Sequence, residues 1–118
     1  MIYTLPWPPS VNTSYRAIPR GKIAVVLMSK KGREYRKLVM SMLVVQGAKK
    51  ATGRLKVSID AYAPDKRRRD LDNHLKALLD ALEHGGAYEN DSQIDDLRII
   101  RRETGKPGHV DVTIEEIK

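Results

Sequence analysis

The stretch that most constrains the fold is residues 54–62. Leu55, Val57, Ile59 and Ala61 alternate there with Lys56, Ser58, Asp60 and Tyr62. Successive side chains of a strand point to opposite faces, so this segment has one dry face and one wet face. A sheet built on it needs cover on one side only. The sequence offers that cover twice. Tyr35, Leu38, Val39, Met42, Leu43 and Gln46 recur at helical spacing over residues 30–48, with Gln46 a polar exception and Ser29 as N-cap. Leu71, Leu75, Leu78, Leu79 and Leu82 form a second stripe over residues 71–84, which Gly85-Gly86 would stop.

The remaining strands are shorter signals. Ile2 and Thr4 alternate ahead of Pro6-Trp7-Pro8-Pro9, where missing amide donors end sheet pairing. The next stretch, to Arg20, reads as loop. Residues 22–28 carry Ile23, Val25 and Leu27 on one side of a strand. A strand over residues 97–103, a turn at 104–108 and a strand through Val110, Val112 and Ile114 read as a hairpin. The order β-β-α-β-α-β-β predicts an α+β fold of two layers, a mixed sheet with two main helices on one face. No repeat, low-complexity tract or linker divides the chain, so residues 1–118 form a single domain.

Composition removes several classes of chemistry. There is no cysteine, hence no disulfide, thiolate metal site or cysteine nucleophile. No apolar run approaches the roughly 20 residues that cross a bilayer, and the start lacks the basic and apolar pattern of a secretion signal. A cytoplasmic protein with no membrane partner is expected. The net charge of +7 is unevenly placed. Residues 1–50 hold ten Lys or Arg and one acid, Glu34, whereas residues 51–118 hold twelve bases and fourteen acids. A basic surface attracts nucleic acid through counterion release; a solvated face that keeps the chain soluble accounts for the same numbers.

The chemistry concentrates in Lys66-Arg67-Arg68-Arg69-Asp70-Leu71-Asp72-Asn73, where two carboxylates follow four cations at a strand-to-helix junction. Inside a regular helix, residues two apart point about 200° from each other and share no ligand. At a helix start, an extended Asp70 and a first-turn Asp72 could face one point and suit a hard divalent cation. Asp is equally a favoured N-cap and first-turn residue, which needs no metal. Asp91, in the loop after the second helix, joins such a site only if the fold returns it there. Lys76 lies four residues from both Asp72 and Asp80, a spacing that by itself favours surface ion pairs worth about 0.3–0.5 kcal/mol. A role for its ammonium on a scissile phosphate is the alternative. His74, His84 and His109 have no zinc-motif spacing. Trp7, set between prolines, is expected to pack under a corner rather than stack on a base.

These motifs resemble those of the RusA family of Holliday junction resolvases. Leu5-Pro6-Trp7-Pro8-Pro9-Ser10-Val11-Asn12 with Tyr15-Arg16 is similar to the family's first motif. Arg67-Arg68-Arg69-Asp70-Leu71-Asp72-Asn73 with Lys76 is similar to the central one, and Asp91-Ser92-Gln93-Ile94 to the third. The resemblance runs from Leu5 to Ile114. It implies a homodimeric, Mg2+-dependent endodeoxyribonuclease of bacteria, phages or prophages that nicks four-way junction DNA in recombination and repair. It further implies Asp70, Asp72 and Asp91 as catalytic, metal-binding acids and Lys76 as a catalytic, DNA-contacting base, with Arg67, Arg68 and Arg69 on flanking phosphates. The family often has two acids in the third motif, whereas here Asn90 precedes Asp91. The residue pattern alone leaves two rivals: a nucleic-acid-binding module with an acidic helix cap, and a metal-dependent hydrolase of nucleotides or flaps. The first leaves carboxylates inside a basic cluster unexplained. For a dimer interface, helix 71–84 and the 97–114 hairpin are the candidates.

Overall fold

The computed structural model describes residues 1–21 and 23–118, with side chains at 18–20 and 23–25 outside the description. Six strands and three helices follow one another: β1 (Ile2–Pro6), α1 (Val11–Ser14), β2 (Tyr15–Arg20), β3 (Ile23–Met28), α2 (Lys30–Val45), β4 (Leu55–Tyr62), α3 (Leu75–His84), β5 (Ile94–Arg101) and β6 (His109–Glu116). Four strands form the main sheet in the order β1-β6-β4-β5, and β2 and β3 form a separate ribbon. The fold is α+β, with α2 and α3 packed on the sheet.

The alternation in β4 does what its chemistry demands. Leu55, Val57, Ile59 and Ala61 are buried, as are Val110, Val112 and Ile114 of β6 and Tyr3 and Leu5 of β1. Against this surface lie Tyr35, Val39 and Leu43 of α2 and Leu78, Ala81 and Leu82 of α3, in one continuous core. Gln46, the polar exception, stands at the C-cap of α2 and has a function of its own. Its side-chain amide accepts from the Thr4 N–H and donates to the Thr4 carbonyl, both at 2.9 Å. It thereby occupies backbone groups that an edge strand would otherwise offer to another chain. Among the described residues, no helix is long and apolar enough to cross a membrane.

Four expectations change. Residues 11–20 are not loop: β2 pairs antiparallel with β3 from Tyr15–Met28 to Arg20–Ile23. Pro19 hides this strand in the sequence, and a two-stranded ribbon tolerates it because one side of each strand needs no partner. The shared side expected of Ile23 and Val25, and a strand start at Lys22, lie outside the described residues. Helix α2 ends at Val45, because Gly47 turns to φ 71°. The second helix begins with a 3₁₀ turn, Leu71–His74, before α3 proper. Most consequential, β5 and β6 are not a hairpin: β5 runs parallel to β4, and β6 pairs antiparallel on the other side of β4.

Gly32 is where α2 meets α1. A Cβ there would stand 2.7 Å from the Ser14 carbonyl oxygen and 2.8 Å from Met28 Cγ. Gly32→Ala should therefore destabilise the fold by about 1–3 kcal/mol through overpacking, despite alanine's better helix propensity; a denaturant titration checks this. The buried phenols set a second expectation. Burial raises the pKa of Tyr35 and Tyr88 well above the ordinary tyrosine value. A raised folded-state pKa gives stability that is complete below the unfolded value of about 10 and lost as pH climbs past it. Melting temperatures from pH 8 to 11 should hold and then fall, and Tyr35→Phe should flatten that fall.

Candidate active site on the β4–α3–β5 crossover

Parallel neighbours cannot be joined by a tight turn. The chain leaves the end of β4, passes through residues 63–74, runs down α3 and returns through residues 85–93 to β5. The acids and bases of the central and third motifs, Arg67 to Asp72, Lys76 and Asp91, lie on this excursion.

Asp65 organises its first part. Its carboxylate accepts from the Arg67 backbone N–H at 2.9 Å, from Arg67 Nε at 3.2 Å and from an Arg69 guanidinium nitrogen at 2.7 Å. Arg69, with the Arg67 contacts adding to it, holds the Asp65 carboxyl well below the usual carboxylate range. The Arg69 side chain is only 18% exposed, and its guanidinium lies 6.0 Å from the centroid of the Trp7 ring. Trp7 also meets His74 at 5.1 Å and packs against the core, the corner role expected of it. His74 Nδ1 lies 2.7 Å from the Pro8 carbonyl, which can only accept, so that nitrogen carries the proton. Arg69 is thus a tether, whereas Arg67, 83% exposed, and Arg68 face solvent.

Asp70 occupies the N-cap position of the 3₁₀ turn in extended conformation, φ −80° and ψ 137°, yet its side chain makes no capping hydrogen bond. The cap explanation therefore does not account for its carboxylate. Asp72 lies in that turn. Asp70 borders an apolar pocket with Trp7, His74 and Arg101, and Asp72 borders a depression on the flank of α3; Leu75 lines both. That depression, about 310 Å³, is lined by Asp72, Leu75, Lys76, Leu79, Asp80 and Asp91. So Asp72, Lys76 and Asp91 share one depression along α3, and Asp70 lines the adjoining pocket.

Asp91 reaches the depression because its turn is pinned. The Asp91 N–H donates to Glu83 of α3 at 2.8 Å. Asn90 caps the 3₁₀ turn Asp91–Gln93, accepting from the Ser92 N–H at 2.8 Å, while the Gln93 side chain accepts from the Asn90 N–H at 2.9 Å. The residue that departs from the family's two-acid pattern is a capping residue here.

The charges around the depression are sorted. The chain has nine aspartates. Among the described residues, Asp60, Asp65, Asp80, Asp95 and Asp96 each pair with Lys or Arg, and Asp111 sits beside His109. Asp70, Asp72 and Asp91 have neither kind of neighbour among the described residues. Oxygen donors of this kind suit a hard cation, and Mg2+ takes one or two carboxylates from a protein with water completing its shell. No three His, Asp or Glu side chains among the described residues converge into a closed cage.

Asp80, on the depression, and Tyr15, bonded to it, are not among the residues the motifs mark for chemistry, although Tyr15 stands in the first motif. Tyr15, from the start of β2, donates its phenol to Asp80 Oδ2, and Lys76 Nζ stands 4.4 Å from the centroid of the Tyr15 ring. Lys76 also donates to Asp80 Oδ2 at 3.4 Å, the i,i+4 pair its spacing favoured. Burial first, then Asp80, pushes the Tyr15 phenol far above its ordinary value.

The sequence pattern of the family described as Endodeoxyribonuclease RusA matches residues 6–115. The chain belongs to the RusA family. It is 42% identical to the crossover junction endodeoxyribonuclease rusA of Enterobacteria phage HK97, over 98% of this chain and 94% of that one. It is 38% identical to the protein of the same description from Enterobacteria phage 82 and 39% identical to that of Escherichia coli strain K12, each over 97% of this chain and 92% of theirs. The three aspartates without ion-pair partners are thus in a chain whose relatives carry the name of a DNA-cutting enzyme.

The two kinds of arginine on the crossover should separate by stability. Arg69→Ala, which cuts the tether to Asp65 and uncovers Trp7, should lower the melting temperature, while Arg68→Ala should leave it unchanged; calorimetry of both variants checks this.

Proposed function

We propose that the chain is a Mg2+-dependent, structure-specific endodeoxyribonuclease that resolves Holliday junctions by paired symmetric nicks in DNA recombination and repair. The observation that carries this reading is the sorting of charge: five aspartates pair with Lys or Arg, Asp111 sits beside His109, and Asp70, Asp72 and Asp91, on the family's motifs, have no such neighbour among the described residues. Membership of the RusA family over residues 6–115 gives the substrate class.

In this reading Asp72 and Asp91 would hold Mg2+ at the depression, with Asp70 of the adjoining pocket as the third acid of the set. The bound ion would supply Lewis acidity and a more acidic attacking water. The side chains of the protein do the rest. Lys76 offers its ammonium to the negative charge that develops on the cleaved phosphate, an interaction stronger in the transition state than in the ground state. Arg67 and Arg68 contact flanking phosphates without reading sequence, and Arg69 holds their loop in register while its remaining donors face DNA. Unpaired carboxylates inside a basic loop would repel phosphate, and a cation between them removes that cost.

A four-way junction has two strands to cut symmetrically, and a two-fold homodimer with one site per subunit matches it. Leu78 and Leu82 of the α3 stripe are buried in the core, with Leu75 and Leu79 partly buried against it, so that helix leaves less apolar surface for a second copy. Strand β5 is a free sheet edge with Leu97 and Ile100 exposed, and α2 exposes Leu38, Val44 and Val45. These, with Ile2 of β1 and Val26 and Leu27 of β3, are among the apolar surfaces available to a second copy. A cytoplasmic setting follows from a DNA substrate.

Cleavage of a labelled four-way junction, with and without Mg2+, tests the proposal. Paired nicks that need Mg2+, fall at least about 100-fold in Asp70→Asn, Asp72→Asn and Asp91→Asn, and leave junction affinity intact are expected. Binding without cleavage in the wild type would make the chain a binding module. Equal cutting of junction and linear duplex would keep the nuclease and discard the resolvase.

A further inference from the structure

Asp80 is the acid on the depression that has lost its freedom. One oxygen, Oδ2, accepts from both the Tyr15 phenol and the Lys76 ammonium. The side chain of Asp80 is 27% exposed, that of Lys76 56%. Lys76 additionally faces the Tyr15 ring at 4.4 Å, within the range where a cation is attracted by the π face. A lysine has four rotatable bonds and a strongly hydrated head, so a bare surface lysine spreads over many positions. Here two contacts from different elements, one from α3 and one from β2, restrict it.

The Tyr15 side is itself braced. Ser10 caps α1 by accepting from the Thr13 N–H, the Ser14 hydroxyl donates to the Ser10 carbonyl at 2.7 Å, and the Ser29 N–H donates to the Ser14 carbonyl at 2.7 Å. Gly32 lets α2 approach this corner to contact. Arg36 of α2 also bears on Tyr15, working against the rise in its pKa, but burial and Asp80 outweigh it. The phenol therefore stays protonated and remains a donor to Asp80 across the range in which DNA is handled.

We propose that Tyr15 and Asp80 are positioning residues that cradle the Lys76 ammonium at the rim of the depression bordered by Asp72 and Asp91. Asp80 then acts through Lys76 and is not a ligand of the metal. This rests on the function proposed above. The cradle holds a cation beside carboxylates that collect a cation of their own, so its geometry decides whether Lys76 meets the phosphate or merely the neighbouring acids. A misplacement of about 1 Å can cost roughly 100-fold in rate.

The test compares Tyr15→Leu, Tyr15→Phe, Asp80→Asn and Lys76→Ala, alone and combined, under single-turnover cleavage of a four-way junction. Tyr15→Leu and Asp80→Asn should each cut the rate roughly 10- to 100-fold, with junction affinity and Mg2+ half-saturation unchanged. Tyr15→Phe, which keeps the ring face, should retain activity within about three-fold of the wild type. In the Lys76→Ala background Tyr15→Leu should cost nothing more, because the residue it positions is gone. Losses that add to that of Lys76→Ala, or a raised Mg2+ requirement in Asp80→Asn, would overturn the proposal and leave the nuclease reading standing. A wild-type chain that does not cleave junctions would overturn the nuclease reading instead. The cradle is then judged by NMR of the Lys76 side chain. An upfield ring-current shift that survives Tyr15→Phe and vanishes in Tyr15→Leu supports it, and no shift in the wild type sinks it.

Discussion

The parallel pairing of β4 with β5 is the constraint on which the rest depends. Parallel strands need a crossover of a dozen or more residues, and the helix of such a crossover must bury its apolar stripe on the sheet. Here α3 is that helix. Its inner face joins Val57, Ile59 and Val112 in the core, which fixes its outer flank in place. Asp72, Lys76, Asp80 and Asp91 all border that flank. The depression is thus not an independent feature of the surface. It is the far side of an element that the sheet topology compels, held as rigidly as the core holds α3.

Much of this was legible in the sequence, and the failures have physical causes. The alternation in β4 and the leucine stripe of α3 report burial, and burial follows periodicity closely. Strand pairing does not, because a strand's side chains say which face is dry and nothing about which neighbour it bonds. Hence residues 97–114 look like a hairpin, whereas β4 lies between β5 and β6. Likewise β2, with Pro19 in it, is a strand only because β3 pairs with it. The motif acids were legible as residue types, but their convergence was not. Asp72 and Asp91 line one depression because the Glu83 contact pins the Asp91 turn beside α3, and Asp70, extended at the cap of the turn that holds Asp72, lines the adjoining pocket.

Tyr15 marks the limit of sequence reading more sharply. It lies 65 residues from Asp80 in the chain, at the start of a strand that the proline disguises. No spacing rule connects the two. What joins them is the close approach of α1 and α2 at Gly32, a contact that only a residue without Cβ permits.

A protein that handles a polyanion and a divalent cation together faces opposed electrostatic demands. Bases collect phosphate; acids collect the cation; and acids left at large cancel the bases. Pairing the spare acids answers all three. Asp65 is consumed by Arg67 and Arg69, and Asp60, Asp95 and Asp96 by Arg102, Arg54 and Arg98. Each such pair on an exposed surface contributes little to stability, so stability is a poor reason for so complete a sorting. Its effect on the local field is larger: neutralised acids stop repelling phosphate, and the aspartates left without an ion-pair neighbour among the described residues all lie on the crossover. Asp80 extends the same economy by using its charge to hold Lys76 instead of competing for the metal.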